Sequence, residues 1–130
     1  MQAPKICLMV DDDIDDQDIF QIALADLKIP VTCIFAFDGE EAIRILEKDS
    51  PDFPDIIFLD INMPKMNGKE CLAAIKGSLK SRNIPVVIYS TSSEKKMEAE
   101  LKSMGAAAYF TKPSSISELT RKLAELIETV

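Results

Sequence analysis

The stretch Ile6–Asp13 reads ICLMVDDD and decides the fold class of this chain. An unbroken apolar run of this length is typical of a β-strand that is buried on both faces. Such strands occur in parallel sheets that carry helices on both sides, and function gathers where those strands end. The stretch therefore predicts an α/β protein whose first strand delivers aspartates to the carboxyl edge of its sheet.

The same pattern recurs along the chain, because each apolar run is followed by a helical segment. Further strands are predicted at 31–37 (VTCIFAF), 56–59 (IIFL), 86–89 (VVIY) and 107–110. Helices are predicted at 14–28, 40–48, 69–79, 93–104 and 115–127. Gly105 suits a C-terminal cap, and Ser115 with Glu118 matches a capping box. Five strands alternating with five helices predict a doubly wound parallel sheet.

Composition limits the classes of function. The chain has 130 residues, enough for one domain with a real core, and we expect a single domain over 1–130 without an output domain. Its net charge of −7 argues against nucleic acid and membrane surfaces as partners. It contains no histidine, which excludes histidine-based triads and histidine-ligated zinc. The odd cysteine number predicts free thiols and a cytoplasmic location, with Cys7 and Cys33 buried and Cys71 partly exposed.

Charged and hydroxyl side chains follow four of the predicted strands. Asp11 and Asp12 follow the first, Asp60 the third, Ser90 the fourth and Lys112 the fifth. Crowded carboxylates repel each other, and a hard cation such as Mg²⁺ relieves that repulsion.

The expected metal site combines side-chain and backbone oxygens. We expect Asp12 and Asp60 as direct ligands, the backbone carbonyl of Asn62 as a third, and Asp11 acting through water. With the cation bound, the Asp60 carboxylate is placed to attack phosphorus, while Lys112 neutralises the transferring group.

At this point the sequence resembles the receiver domain of bacterial response regulators over essentially its whole length. The resemblance rests on the acidic pair, on FLDINMPKMNG at 58–68, on PVVIYS at 85–90 and on YFTKP at 109–113. It implies the flavodoxin-like strand order 2-1-3-4-5. It also implies Mg²⁺ as cofactor and a sensor histidine kinase, a phosphotransfer protein or a small phosphodonor as the source of phosphate.

The resemblance assigns roles by position. Asp60 would be the phosphorylated residue and Ser90 the switch hydroxyl. Lys112 would be the lysine that the family pattern has after its fifth strand. Tyr109 would be the aromatic that turns inward on activation and changes a surface read by a downstream protein. The chain would be a signalling protein rather than an enzyme with a separate substrate, and its monomeric or dimeric state stays open. A cis peptide bond before Pro113 is implied as well.

Two departures from the family pattern affect expectations. Thr91 stands where a small residue usually follows the switch hydroxyl, which leaves the lifetime of the phosphorylated form open. The stretch Asp13–Asp16 is more acidic than is typical, and we expect it to weaken donor docking or to add a second cation contact.

Other classes of function fit less well. A haloacid-dehalogenase-type phosphatase shares the nucleophilic aspartate, but Asp15 stands where its motif has Thr or Val. An FMN protein would meet repulsion between five aspartates and the phosphate of its ligand. An EF-hand fails because Asp16 and Ile22 replace the required Gly and Glu. A receiver-like binding module without phosphotransfer remains as the main alternative.

Overall fold

A computed structural model describes residues 4–63, 66–91 and 95–130 of the chain. Strands and helices alternate as predicted. The strands are β1 (Lys5–Val10), β2 (Val31–Ala36), β3 (Ile56–Leu59), β4 (Val86–Ser90) and β5 (Ala108–Thr111). The helices are α1 (Ile14–Ala25), α2 (Gly39–Glu47), α3 (Gly68–Gly77), α4 (Lys95–Ser103) and α5 (Ile116–Ile127).

The five strands form one parallel sheet in the order β2-β1-β3-β4-β5, which confirms the predicted fold class. β1 lies between β2 and β3, so the chain reverses its direction of travel across the sheet at β1. Val10 aligns with Leu59, the last residue of β3, and Ser90 aligns with Thr111. The carboxyl ends of these strands therefore meet at one edge of the sheet, where α/β proteins place their sites.

Alternate residues of each strand face opposite sides, and each side carries its own core. Leu8 and Val10 pack with α2, α3 and the buried Leu101 of α4. Cys7 and Met9 pack on the other side with apolar residues of α1 and α5. Strands buried on both faces explain why the apolar runs are continuous rather than alternating. None of the helices in the described ranges combines the length and apolar character needed to cross a membrane.

Side-chain caps fix where most of the helices begin. Asp13, Asp38 and Ser115 each accept a hydrogen bond from a backbone N–H in the first turn of the helix that follows. Ser115 accepts from the Glu118 amide, and the reciprocal capping box is formed instead at the start of α3 by Asn67. Gly105 ends α4 with a positive φ of 109°, as expected for a C-terminal cap.

Several local expectations were wrong. α1 ends at Ala25 rather than Lys28, because the next residues form a turn that closes on Ala23 and Leu24. Cys71 is fully buried in α3 rather than partly exposed, since it lies on the side of the helix that faces the sheet. The bond before Pro113 is trans, the form that proline peptides favour by about 0.5–1 kcal/mol. The predicted start of α4 at Ser93 lies outside the described residues.

The start of α3 packs so closely against the end of β3 that it requires glycine. The Gly68 amide donates to the Ile61 carbonyl oxygen at 3.1 Å. A β-carbon at Gly68 would lie 2.5 Å from the Asp60 carbonyl oxygen and from the Ile61 α-carbon. Both are backbone atoms that cannot rotate away, so this contact fixes the backbone that follows Asp60.

We predict that Gly68→Ala lowers the free energy of unfolding by about 1–3 kcal/mol, as overpacking does. Gly77→Ala is the matched control, because its new methyl group meets nothing within 4 Å. The control should leave stability unchanged or raise it by up to about 1 kcal/mol. Urea unfolding followed by circular dichroism measures both, and equal stabilities for the two variants would contradict the close approach.

Candidate functional site

The acidic side chains predicted to meet at the sheet edge do so. Asp11 and Asp12 follow β1, Asp60 follows the adjacent β3, and the Asp60 amide donates to the Val10 carbonyl oxygen at 2.9 Å. One carboxylate oxygen from each of the three aspartates lies within 4.8 Å of the other two. Asp11 and Asp60 are buried, and Asp12 is exposed. The cluster therefore has an inner wall of two carboxylates and one carboxylate at its mouth.

Backbone amides hold the two buried carboxylates in place. Asp11 Oδ1 accepts from the Asp13 amide at 2.9 Å, and Asp60 Oδ1 accepts from the Asn62 amide at 3.2 Å. Each bond closes a tight turn directly after its strand, which orients the remaining carboxylate oxygen toward the cluster. The prediction that the Asn62 carbonyl is a metal ligand stays a prediction.

Lys112 brings the only cation of the described residues that forms ion pairs with this cluster. Its ammonium lies 3.1 Å from Asp11 Oδ2, 2.6 Å from Asp16 Oδ2 and 3.7 Å from Asp60 Oδ2. Its backbone amide donates to the Ser90 carbonyl oxygen at 2.6 Å, which ties the end of β5 to the end of β4. The lysine is thus carried to the centre of the sheet edge from its outermost strand.

Burial and charge shift the protonation of these groups. Burial raises the pKa of Asp11 to about 7, more than the Asp13 amide and the Lys112 charge lower it. Burial also raises the pKa of Asp60 against the opposing effect of Lys112. For Lys112, burial lowers the pKa, but the Asp16 hydrogen bond and the Asp11 and Asp60 charges outweigh it and raise the pKa overall. The lysine is therefore charged at neutral pH, while burial opposes the ionisation of both Asp11 and Asp60.

An aromatic group forms the apolar wall behind the lysine. The Lys112 ammonium lies 5.0 Å from the centre of the Tyr89 ring, within the range of a cation–π contact. Tyr89 packs against Phe20 and Phe110 with ring centres 5.9 and 5.1 Å away. Burial raises the pKa of Tyr89 to about 12, so its hydroxyl stays protonated. The sequence analysis did not assign this tyrosine to the site.

Gln17 is a second residue that the sequence analysis missed. Its side-chain amide donates to the Asp11 carbonyl oxygen at 2.9 Å, and it is 7% exposed. This bond pins the first turn of α1 to the end of β1. A signal was present, since Gln17 shares a helix face with the buried Phe20 and Leu24 at spacings of three and seven.

The two predicted switch residues lie on neighbouring strands. Ser90 is the buried last residue of β4, and Tyr109 is a partly buried residue of β5 that packs toward the α4 side of the sheet. Ser90 thus lies at the carboxyl edge of the sheet, where the sequence predicted it. Their roles in switching stay predictions.

The loose attachment of α4 is visible in its packing. Leu101 is its one buried residue among those described. A cavity of about 420 Å³ separates the helix from the start of α3, and its lining includes Met63 and Met97. The Lys69–Glu100 ion pair spans the two helices at the cavity rim, where both side chains are about half exposed. The surface that α4 forms beside the site is therefore held in place by few interactions.

Comparison with known proteins assigns this arrangement to a family. The family model of the response regulator receiver domain matches residues 7–124. Response regulator Rcp1 of Synechocystis sp. (strain ATCC 27184 / PCC 6803 / Kazusa) is 31% identical, over 97% of this chain and 88% of that protein. The chain belongs to the response regulator receiver domain family, which confirms the resemblance found in the sequence.

Solved structures agree with this assignment. The phosphorylated cyanobacterial phytochrome response regulator RcpA superposes with a TM-score of 0.85 and 33% identity, covering 97% of this chain and 93% of that one. The Mn²⁺-bound form of Rcp1 gives a TM-score of 0.83 and 30% identity, covering 98% and 97%.

Not every relative is a short protein. The protein-glutamate methylesterase/protein-glutamine glutaminase of Methanococcoides burtonii (strain DSM 6242 / NBRC 107633 / OCM 468 / ACE-M) is 32% identical. This chain spans only 33% of its length, and 90% of this chain is covered. The matches give no support to the phosphatase alternative.

We predict that Asp11→Asn stabilises the divalent-free protein increasingly as pH rises. The pKa of Asp11 is about 7 in the folded chain against 3.8 in the unfolded chain, so between these pH values the unfolded chain releases a proton that the folded chain keeps. The wild type therefore loses stability across that range, and the loss levels off above about pH 7. Near pH 4 the protonated Asp11 resembles asparagine, and the two proteins should have similar stability. Above pH 7 the variant should be more stable by about 1–3 kcal/mol.

Urea unfolding in EDTA-containing buffers between pH 4 and 8 measures this difference. Asp52→Asn, which removes an exposed carboxylate, serves as the control. A stability gain for Asp11→Asn that does not change with pH would contradict the burial of an ionisable Asp11.

Proposed function

We propose that this receiver domain accepts a phosphoryl group on Asp60 in a reaction that depends on Mg²⁺. The observation that carries the proposal is the meeting of Asp11, Asp12 and Asp60 within 4.8 Å beside a charged Lys112. Asp60 is a poor nucleophile as long as nothing offsets the repulsion among the three carboxylates, because that repulsion disfavours its ionised form. A divalent cation at the cluster removes that obstacle.

The donor set suits a hard cation. Asp12 at the mouth and Asp60 on the wall offer direct carboxylate ligands, Asp11 acts through water, and the Asn62 carbonyl completes the protein ligands. Mg²⁺ favours such a site, with one or two carboxylates and several waters. When bound, Mg²⁺ supplies charge neutralisation for the oxygens of the incoming phosphoryl group. The Mn²⁺-bound structure of Rcp1 supports the assignment by similarity.

The transfer step is written for Asp60 as the nucleophile. An Asp60 oxygen forms a bond to phosphorus while the bond from phosphorus to the donor breaks, and the donor leaves with that electron pair. Lys112 lies on the Oδ2 side of Asp60 and neutralises the equatorial oxygens. Ser90, at the end of the adjoining strand, donates its hydroxyl to the phosphoryl group after transfer.

The donor comes from outside this chain, since the sequence contains no histidine to carry phosphate. A sensor histidine kinase, a phosphotransfer protein or acetyl phosphate supplies it. The protein acts as a phosphoacceptor whose only chemistry is its own phosphorylation and dephosphorylation, not as an enzyme with a separate substrate. Its place is the cytoplasm, where thiols such as Cys7 stay reduced.

Phosphorylation then switches a protein-binding surface. The phosphoryl group adds charge and strong acceptor oxygens, which draw Ser90 and Lys112 inward. Tyr109 turns inward, and α4 shifts over the cavity at its base. The few interactions that hold α4 support this order of events.

We predict that Asp60→Asn abolishes labelling by acetyl phosphate. Intact-mass spectrometry in MgCl₂ should show one added phosphoryl group on the wild type and none on the variant. EDTA should abolish labelling of the wild type, because the cluster then keeps its repulsion. Asp52→Asn, which alters an exposed carboxylate outside the cluster, should label like the wild type.

Stoichiometric labelling of Asp60→Asn would remove Asp60 as the acceptor. Absence of labelling in the wild type with each class of donor would favour the alternative, a receiver-like binding module that does not use phosphotransfer.

A further inference from the structure

Among the residues that the structure describes, the carboxylate nearest to the Lys112 ammonium belongs to Asp16, not to the acidic cluster. Asp16 Oδ2 lies 2.6 Å away, compared with 3.1 Å for Asp11 and 3.7 Å for Asp60. We propose that Asp16 is a positioning residue that holds Lys112 back from Asp60 and so slows phosphorylation. The inference rests on the proposed function and adds a residue to which that function assigns no role.

The position of Asp16 is set by the anchoring of α1. The Asp13 side chain caps the helix by accepting from the Asp15 amide at 2.9 Å. Gln17, the next residue along, donates to the Asp11 carbonyl oxygen at 2.9 Å and is buried. The first turn of α1 is therefore fixed on both sides of Asp16. From this fixed position the Asp16 carboxylate contacts the Lys112 ammonium.

A simpler explanation is that Asp16 only stabilises the N-terminus of α1, where acidic residues are favoured. Asp15 has the same charge in the same turn, and its exposed side chain is not among the ion-pair partners of Lys112 in the described ranges. The Asp16 side chain, by contrast, is 27% exposed and faces an ammonium that is 11% exposed. A comparison of Asp15 with Asp16 therefore separates the effect of negative charge at the start of the helix from the effect of contact with Lys112.

The contact has a definite consequence for phosphoryl transfer. As the bond from Asp60 to phosphorus forms, the bond from phosphorus to acetate breaks and acetate leaves with its electron pair, while the equatorial oxygens carry negative charge throughout. Lys112 stabilises them by directing ammonium N–H groups at these oxygens, and in the structure the ammonium lies 2.6 Å from Asp16 Oδ2 instead. Asp16 competes for the same ammonium and adds a negative charge near the incoming group. Both effects oppose transfer.

The test compares two variants that remove one charge each from the same helical turn. Asp16→Asn should raise the initial rate of labelling by acetyl phosphate and MgCl₂ about three- to tenfold, which corresponds to about 0.7–1.4 kcal/mol. Asp15→Asn should change the rate by less than about twofold, since exposed charges interact weakly. Asp16→Glu keeps the charge within reach of Lys112 and should return the rate to that of the wild type.

A second measurement needs no phosphotransfer. The ammonium signal of Lys112 in nitrogen-edited NMR should shift in Asp16→Asn and stay in place in Asp15→Asn, with Lys112→Arg used to assign the signal. Thermal unfolding of both asparagine variants shows whether a rate change follows from loss of folded protein.

The outcomes separate this inference from the proposed function. Equal rates for Asp16→Asn and Asp15→Asn, or slower labelling of Asp16→Asn, overturn the role of Asp16 while labelling of the wild type upholds the proposed function. An unchanged Lys112 signal in Asp16→Asn overturns the inference as well. Failure of the wild type to label at all overturns both.

Discussion

The structure depends on one unfavourable arrangement, in which the carboxylates of Asp11 and Asp60 are buried side by side at the ends of adjacent strands. Their charges repel, and burial raises the pKa of both. Lys112 offsets part of that repulsion from β5, with its ammonium close to both carboxylates. A bound cation or an added proton relieves the rest of that repulsion, which connects the fold with the proposed chemistry.

The parallel sheet makes the arrangement possible. β1 and β3 end level with each other, because Val10 aligns with Leu59, so the next residue of each chain segment falls at the same edge. The turn after β3 is then fixed by the backbone contact at Gly68, where a side chain would not fit. Rigid backbone on both sides keeps the carboxylates together despite their repulsion, as a site that must bind a cation requires.

The sequence predicted the features of the site that follow from local pattern and strand topology, and it missed a contact between residues far apart in the chain. Continuous apolar runs predicted the strands, and strand ends placed Asp11, Asp60 and Lys112 at one edge, because parallel topology carries local pattern directly into position. For the acidic stretch Asp13–Asp16 the sequence left two possibilities open, weaker donor docking or a second cation contact, and it did not predict the ion pair between Asp16 and Lys112. Tyr89 was not predicted, because an apolar strand does not indicate which aromatic lies beneath a distant lysine.

The wrong end of α1 and the wrong exposure of Cys71 have different causes. The predicted end of α1 relied on Pro30, while the chain leaves the helix earlier through a turn that closes on Leu24. The exposure of Cys71 was judged from its helical pattern alone, and the packing of α3 on the sheet decided otherwise. The burial of Cys71 is set by contacts between residues far apart in sequence, whereas the end of α1 is set by a local turn that the apolar spacing does not indicate.

The free energies of the interactions at the site and around α4 are of the size that a switch between two conformations requires. Full conversion between two states requires a difference of about 5.5 kcal/mol. Charge-assisted hydrogen bonds from Lys112 and Ser90 to a phosphoryl group supply about 1.5–3 kcal/mol each. The opposing interactions are weak, since the half-exposed Lys69–Glu100 pair stabilises by about 0–1 kcal/mol and Leu101 is the main buried anchor among the described residues of α4. In the proposed mechanism, a few new bonds at the strand ends are therefore sufficient to move α4, which Leu101 anchors among its described residues.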